Sequence, residues 1–334
     1  MSKTFSKALL DWYARFGRDL PWRFKGGAHP NPYIVLVSEL MLQQTTVKTV
    51  LSYFDKFIKR FPDVQSLASA PLEEVYLYWQ GLGYYTRAKS LHQSAQIIVS
   101  DFNGVFPSKK EDVLKLKGFG AYTVSSFLAF AFNAPQTVVD GNVIRIMARL
   151  YHLTDPVDEI MQDVIQKAQN LTDTQNAADY ASAIMDLGAT ICTKKNPLCN
   201  QCPVSDFCLS KNLDDKEQIP LKKKILKKDF NGYVYVIKNK KGEILIRKRT
   251  EKGLLSGLYE FLWSENKLFD NAFETDLYVS HVFTHINMKL KICTLTTQKT
   301  PSDGFFVKPE DLQKYAFSTL MQKVIKKSEF FICT

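Results

Sequence analysis

Between Cys192 and Cys208 the chain reads "CTKKNPLCNQCPVSDFC", four cysteines in the spacing C-x6-C-x2-C-x5-C. Few features restrict a fold so tightly, because sulfurs this close in sequence must converge in one compact loop. The unequal four-point spacing suits an iron–sulfur cluster or a structural zinc, both of which thiolates ligate. The other two of the six cysteines, Cys293 and Cys333, lie far from the group. That distribution fits the metal site of an intracellular protein better than a disulfide framework.

Upstream of this loop the chain reads as helix. Phe5, Leu9, Trp12, Tyr13 and Phe16 fall at helical spacing, and "PLEEVYLYW", "RAKSLHQSAQIIVSDF" and "GNVIRIMARLYHL" repeat the pattern. The basic stretch "IPLKKKILKKDF" (Ile219–Phe230) then interrupts it. Beyond it the period falls to two: "YVYVIKN" and "EILIRKR" flank a turn, "HINMKLKICTL" alternates likewise, and "STLMQKVIKK" returns to helix. The expected organisation is an all-α domain over 1–211, a basic linker over 212–229 and a smaller α+β domain over 230–334.

A formal net charge of +10 on 334 residues makes a polyanion the natural partner, although a solvated basic face would give the same balance. The N-terminus "MSKTFSKALLDWYARFGRDL" is charged throughout and lacks the apolar core of a signal peptide. The run "FLAFAF" at Phe127–Phe132 is too short to span a bilayer. A cytoplasmic, soluble protein with no membrane partner is the expectation.

Two stretches carry candidate binding chemistry. In "FPSKKEDVLKLKGFGAYTVSSFLAFAF", Ser108 and Glu111 have the spacing of a capping box, so a helix is expected from there to Gly118, with a second opened by Gly120. A helix, a glycine turn and a helix form a hairpin whose backbone N–H groups can hold a DNA phosphate without reading sequence; an ordinary helical hairpin is the alternative. In "TVVDGNVIRIMARL", Asp140 is placed to cap a helix that begins with Gly141 and Asn142. A cap carboxylate beside a cleft has a second use, because its fixed charge can face a cation forming nearby.

Taken together, these motifs are similar to those of a known group. The cysteine array resembles that of the endonuclease III superfamily of DNA glycosylases, and so does the helix-hairpin-helix followed by "VVDGNV". "RDLPWR" (Arg18–Arg23), "SELMLQQT" (Ser38–Thr45), "GLGYYTRA" (Gly81–Ala88) and "MDLGATIC" (Met185–Cys192) narrow the likeness to the MutY adenine DNA glycosylases. The resemblance runs from about Leu10 to Cys208 almost without interruption. It implies a helix-hairpin-helix glycosylase domain with an iron–sulfur loop, a 4Fe–4S cluster on Cys192, Cys199, Cys202 and Cys208, and a smaller Nudix (MutT)-like domain. It further implies a monomer that acts on double-stranded DNA, removing adenine mispaired with 8-oxoguanine or guanine.

That reaction can be set against the residues. Adenine leaves poorly unless its ring is protonated, and a carboxyl group among apolar neighbours keeps its proton more readily than a free one. Glu39, in a helix with Val35, Leu36, Leu40 and Leu42, has that environment and is the expected acid. By resemblance Asp140 faces the sugar cation, as stabiliser or transient nucleophile, and Tyr122 assists from the pocket. The endonuclease III lysine that forms a Schiff base is replaced here by Tyr122, so a monofunctional enzyme is expected. The likeness also implies an adenine pocket of Arg18, Trp22, Arg23, Leu42 and Asp186. Gln43, Gln44, Tyr84, Gly118, Gly120 and Asn142 would meet the duplex, with Tyr84 and Gln44 as wedge.

In the C-terminal part "SGLYEF" and "HVFTHINM" carry a thinner likeness. Phe283, Thr284 and His285 stand where the family usually has Phe-Ser-His, and Thr284 keeps the hydroxyl suited to an oxidised guanine edge. The glutamate-rich run of a Nudix hydrolase is missing, so this domain is expected to read a lesion and not to hydrolyse nucleotides. Two other readings stay open: a bifunctional glycosylase/lyase like endonuclease III, and a DNA-binding protein without catalysis.

Overall fold

The computed structural model describes residues 4–24, 30–221, 226–297, 299 and 303–329. The helices are α1 (Phe5–Phe16), α2 (Pro32–Leu42), α3 (Val47–Arg60), α4 (Val64–Ser69), α5 (Leu72–Trp79), α6 (Thr86–Asp101), α7 (Lys110–Val113), α8 (Ala121–Phe132), α9 (Gly141–Leu150), α10 (Val157–Leu171) and α11 (Ala177–Thr190). Strands β1 (Lys228–Lys238), β2 (Ile244–Lys248), β3 (Tyr259–Glu260), β4 (Leu262–Ser264), β5 (Phe273–Val282), β6 (Ile286–Thr296) and β7 (Gly304–Val307) follow, and α12 (Thr319–Lys327) closes the chain. Two compact units result, one of Met1–Ser69 with Ser90–Lys224 and one of Ala70–Lys89 with Ile225–Thr334.

The first unit is helical. Its larger core packs Leu9, Trp12 and Tyr13 of α1 against Ile146 and Met147 of α9, Ile160 and Val164 of α10, and Ile184 and Leu187 of α11. Phe16, expected on the same stripe, points outward instead, because α1 ends there and Gly17 turns the chain away. Helix α2 is buried on almost every side, with Pro32 in its first turn and Asn31 capping the Tyr33 N–H. Close packing of α11 on α9 depends on Gly188, where a Cβ would sit 2.6 Å from that of Asn142.

The hairpin forms, but not from the expected cap. Helix α7 is a single turn starting at Lys110; its N-cap is Lys109, without a side-chain hydrogen bond. The Lys109 carbonyl takes the Asp112 and Val113 N–H groups, so the helix starts one residue too late for Ser108 to cap it. Turns then carry the chain to Gly118 at φ +79°, before Gly120 caps α8. A Cβ at Gly118 would stand 2.8 Å from that of Ser90, whereas one at Gly120 would meet nothing within 4 Å. Gly118→Ala is therefore expected to cost about 1–3 kcal/mol, read by urea denaturation. Gly120→Ala should leave the midpoint unchanged, being free of both strain and clash.

The second unit is built on a seven-stranded sheet in the order β3-β2-β1-β6-β5, with β4 also on β1 and β7 on β2. The expected hairpin joins β1 to β2, and β1 runs parallel to β6 over its whole length. Val234, Val236, Leu290 and Ile292 meet Leu320, Met321 and Val324 of α12 on one face. Helix α5 and the "GLGYYT" turn belong to this unit: Tyr85 Oη donates to the Phe317 carbonyl at 3.1 Å, and Phe317 N–H donates to Gln80 at 3.0 Å. Within 212–229, Ile219 is buried, Leu221 pairs with Pro156 and β1 has begun by Lys228; residues 222–225 and Cys333 lie outside the described residues.

Candidate active site

In the first unit a cavity of about 820 Å³ is lined by Glu39, Tyr122 and Asp140 together with Arg18, Trp22, Arg23, Leu42, Gln43, Gln44 and Asn142. Residues from α2, α8, α9 and the segment after α1 thus converge on one cavity. Glu39 is 8% exposed among fully buried Leu36, Leu40 and Val37. Burial pushes its carboxyl up to about 7; bonding with Ser126 and the Arg23 charge pull it down, and the Asp140 charge pushes it up.

Asp140 is held differently. Its Oδ1 accepts the N–H groups of Asn142 and Val143, each at 2.8 Å, and its Oδ2 accepts Asn142 Nδ2 at 2.9 Å. The same carboxylate caps α9 and faces the cavity. Asn142 in turn accepts from Arg145 Nη2 at 3.0 Å, while Arg145 donates to the carbonyls of Gly188 and Cys192 at 2.6 and 2.8 Å. One hydrogen-bonded scaffold therefore joins Asp140 to the start of the cysteine loop.

Tyr122 is half-buried, and its hydroxyl lies well above the ordinary phenol range through burial, the Glu39 and Asp140 charges adding to it. Ser126, one turn further along α8 and fully buried, donates to the Thr123 carbonyl at 3.2 Å, and its hydroxyl pulls both Tyr122 and Glu39 down. Sequence reasoning missed it; its position four residues beyond Tyr122 was the available signal. Asp186 does not line the cavity. It is fully buried behind it and accepts Arg18 Nε and Nη2 at 2.9 and 2.7 Å and Arg23 Nη1 at 2.5 Å. Burial alone would raise its carboxyl, but Arg23 and Arg18 outweigh that and hold it below the usual range. Trp22 packs edge-to-face on Phe54 at 5.0 Å, so it serves the core as well as the cavity wall.

Gln43 Nε2 reaches Thr123 Oγ1 at 3.1 Å, across to the hairpin's second helix. Gln44 (φ 55°) and Tyr84 (φ 49°) are both exposed and both in the left-handed region that non-glycine residues rarely occupy. In the second unit Tyr84 Oη and Thr284 Oγ1 lie 3.2 Å apart, and the Arg87 guanidinium sits 5.5 Å from the Tyr84 ring. Phe283 packs on the sheet core and against His281 at 4.5 Å, leaving His285 exposed.

Cys192, Cys199, Cys202 and Cys208 line one small pocket of about 40 Å³. Burial pushes the Cys202 thiol up to about 12, and the other three cysteines add to the rise. Four sulfurs converging in a pocket that Arg149, Lys211 and Lys216 also line fit an iron–sulfur cluster, whose iron would take up the thiolates and whose remaining negative charge these cations would offset. Arg149, itself buried, supports it with Nη1 at 3.5 Å from Cys192 Sγ.

Comparison with known proteins agrees with this geometry. Residues 37–170 match the HhH-GPD superfamily base excision DNA repair protein, residues 192–208 the iron–sulfur binding domain of endonuclease III, and residues 233–327 the NUDIX domain. A helix-hairpin-helix fold with this cavity and loop defines a DNA glycosylase, an enzyme with a 4Fe–4S cluster as cofactor and DNA as partner. The chain is 38% identical over 261 residues to the adenine DNA glycosylase of Buchnera aphidicola subsp. Baizongia pistaciae, covering 77% of this chain and 73% of that one. It is 34% identical over 297 residues to that of Buchnera aphidicola subsp. Acyrthosiphon pisum, covering 84% and 83%. The structure of a thermostable thymine-DNA glycosylase is similar at a TM-score of 0.55 and 26% identity, covering 62% of this chain and 94% of that one. The chain belongs to the adenine DNA glycosylase family. Among the described residues no helix is long and apolar enough to cross a membrane.

Proposed function

We propose that the protein excises adenine paired with 8-oxoguanine, or with guanine, from double-stranded DNA and leaves the strand uncut. One observation carries the reading: a carboxyl group held up to about 7 and a carboxylate fixed by three N–H donors line the same cavity. Their environments separate their roles as acid and as counter-charge.

The adenine nucleotide swings out of the stack into the cavity, between Arg18, Trp22, Arg23 and Leu42. Glu39 gives its proton to the adenine ring, and the glycosidic electron pair leaves with the base. The sugar left behind is cationic, and Asp140 faces it with a charge that needs no reorganisation. Water then takes the base's place on the sugar and gives up a proton, which returns to Glu39. Tyr122 orders the pocket through Ser126 and has no amine to form a Schiff base, which favours a glycosylase without strand cleavage. Asp186 acts at one remove, holding Arg18 and Arg23 in place.

The α8 N-terminus, where Gly120 offers no side-chain cap, suits a DNA phosphate, and Gly118 and Asn142 shape that surface. Gln43 braces the turn, while Gln44 and Tyr84 wedge into the duplex. Thr284, hydrogen-bonded to Tyr84, places a hydroxyl for the oxidised guanine, with Phe283 and His285 flanking it. Cys192, Cys199, Cys202 and Cys208 ligate the cluster. Domains over 1–211 and 230–334, a monomeric state and a cytoplasmic, nucleoid-associated location complete the reading.

The test uses duplexes with adenine opposite 8-oxoguanine or guanine, analysed with and without hot alkali. Cleavage confined to the alkali-treated samples is expected. Cleavage without alkali would point to a lyase, and no abasic product to a DNA binder.

A further inference from the structure

We infer that the Ser210 hydroxyl donates a hydrogen bond to a sulfur of the 4Fe–4S cluster and thereby raises the cluster's reduction potential. The inference rests on the reading of Cys192, Cys199, Cys202 and Cys208 as ligands. Ser210 stands two residues beyond Cys208 and lines the same 40 Å³ pocket as the four cysteines. It is 1% exposed, yet among the described residues its Oγ has no hydrogen-bond partner.

A buried hydroxyl without a partner costs about 1–3 kcal/mol, so an alanine here would be the better residue if packing were all that mattered. The neighbouring groups are already engaged. Ser210 N–H donates to the Arg149 carbonyl at 3.2 Å. Arg149 spends its guanidinium on the carbonyls of Thr193, Lys194 and Ile219. Sulfur is the acceptor that the bound cluster adds to this pocket, as cysteine thiolate or as sulfide, and a serine hydroxyl is a donor matched to it.

A hydrogen bond to a cluster sulfur draws electron density from the iron and favours the electron-richer state. The redox step is the loss of one electron from the cluster to an electrode; no bond breaks, and the hydroxyl proton stays on Ser210. Removing the hydroxyl therefore makes oxidation easier. Holoprotein with Ser210→Ala and with Ser210→Thr, each checked for iron per chain, is titrated potentiometrically beside the unaltered protein. For Ser210→Ala the ratio of oxidised to reduced cluster at a fixed potential should rise about five- to tenfold, tenfold being about 59 mV for one electron. Ser210→Thr, which keeps the hydroxyl, should titrate like the unaltered protein.

Failure of Ser210→Ala to hold iron while Ser210→Thr stays fully loaded would also support the hydroxyl's role. An unchanged potential in fully loaded Ser210→Ala would overturn it, as would loss of iron from both variants, since shape would then be what matters. A chain without iron before any substitution would instead refute the ligand assignment.

Discussion

Glu39→Gln is expected to slow adenine release in single turnover by about 10²–10⁴-fold, the usual worth of a positioned proton donor, with duplex binding retained. The amide keeps the shape of the carboxyl group but has no proton to give. The same substitution should stabilise the fold at alkaline pH. An unfolded glutamate titrates near 4.5 and this one near 7, so the folded state holds the proton more tightly. That contribution is complete below the unfolded value, shrinks as pH rises through the folded one, and is gone above it. At pH 8 the protein carries a buried charge that glutamine would spare, worth up to roughly 3 kcal/mol. Urea denaturation at pH 8 should show the variant more stable, and at pH 4, below the unfolded value, the advantage should nearly vanish. An equal loss of stability at both values would mean that Glu39 is structural.

Asp140→Asn is expected to lower excision about 10²–10³-fold, the scale set by removal of one group that stabilises developing charge, while the melting temperature falls only slightly, through loss of the Asn142 Nδ2 contact to Oδ2. The two effects part because Asp140 holds two positions at once. As cap of α9 it accepts the Asn142 and Val143 N–H groups, and an asparagine oxygen can do the same. As the charge facing the sugar it has no neutral substitute. Asp140→Ala would lose the cap as well and should melt lower by about 1 kcal/mol of stability. Single-turnover rates and calorimetry on the two variants separate the roles. Full activity in the asparagine variant would remove Asp140 from the chemistry.

Much of this site could be read before any coordinates, for definable reasons. Glu39 stood out because its near neighbours along one helix are apolar, so burial followed from local sequence. Asp140 was legible because capping is local too. The two-period pattern of the last third of the chain became β1, β2 and β6, although Val234–Ile237 of β1 and Ile244–Ile246 of β2 are continuous apolar runs buried on both faces of the sheet. What escaped depends on contacts distant in sequence. Asp186 lies behind Arg18 and Arg23 through a packing of α11 that no short window contains. Thr284 meets Tyr84 across 200 residues. The Ser108 cap failed because a one-residue shift at a helix start is below what spacing can resolve. The left-handed backbone of Gln44 and Tyr84 had no sequence signal, since neither residue favours it.

The pH dependence of adenine excision in single turnover tests the central claim most directly. With duplex saturating and Asp140 intact, the rate should hold steady below neutrality and fall tenfold per pH unit above about 7, as Glu39 loses its proton. A rate that stayed level from pH 5 to pH 9 would contradict the account.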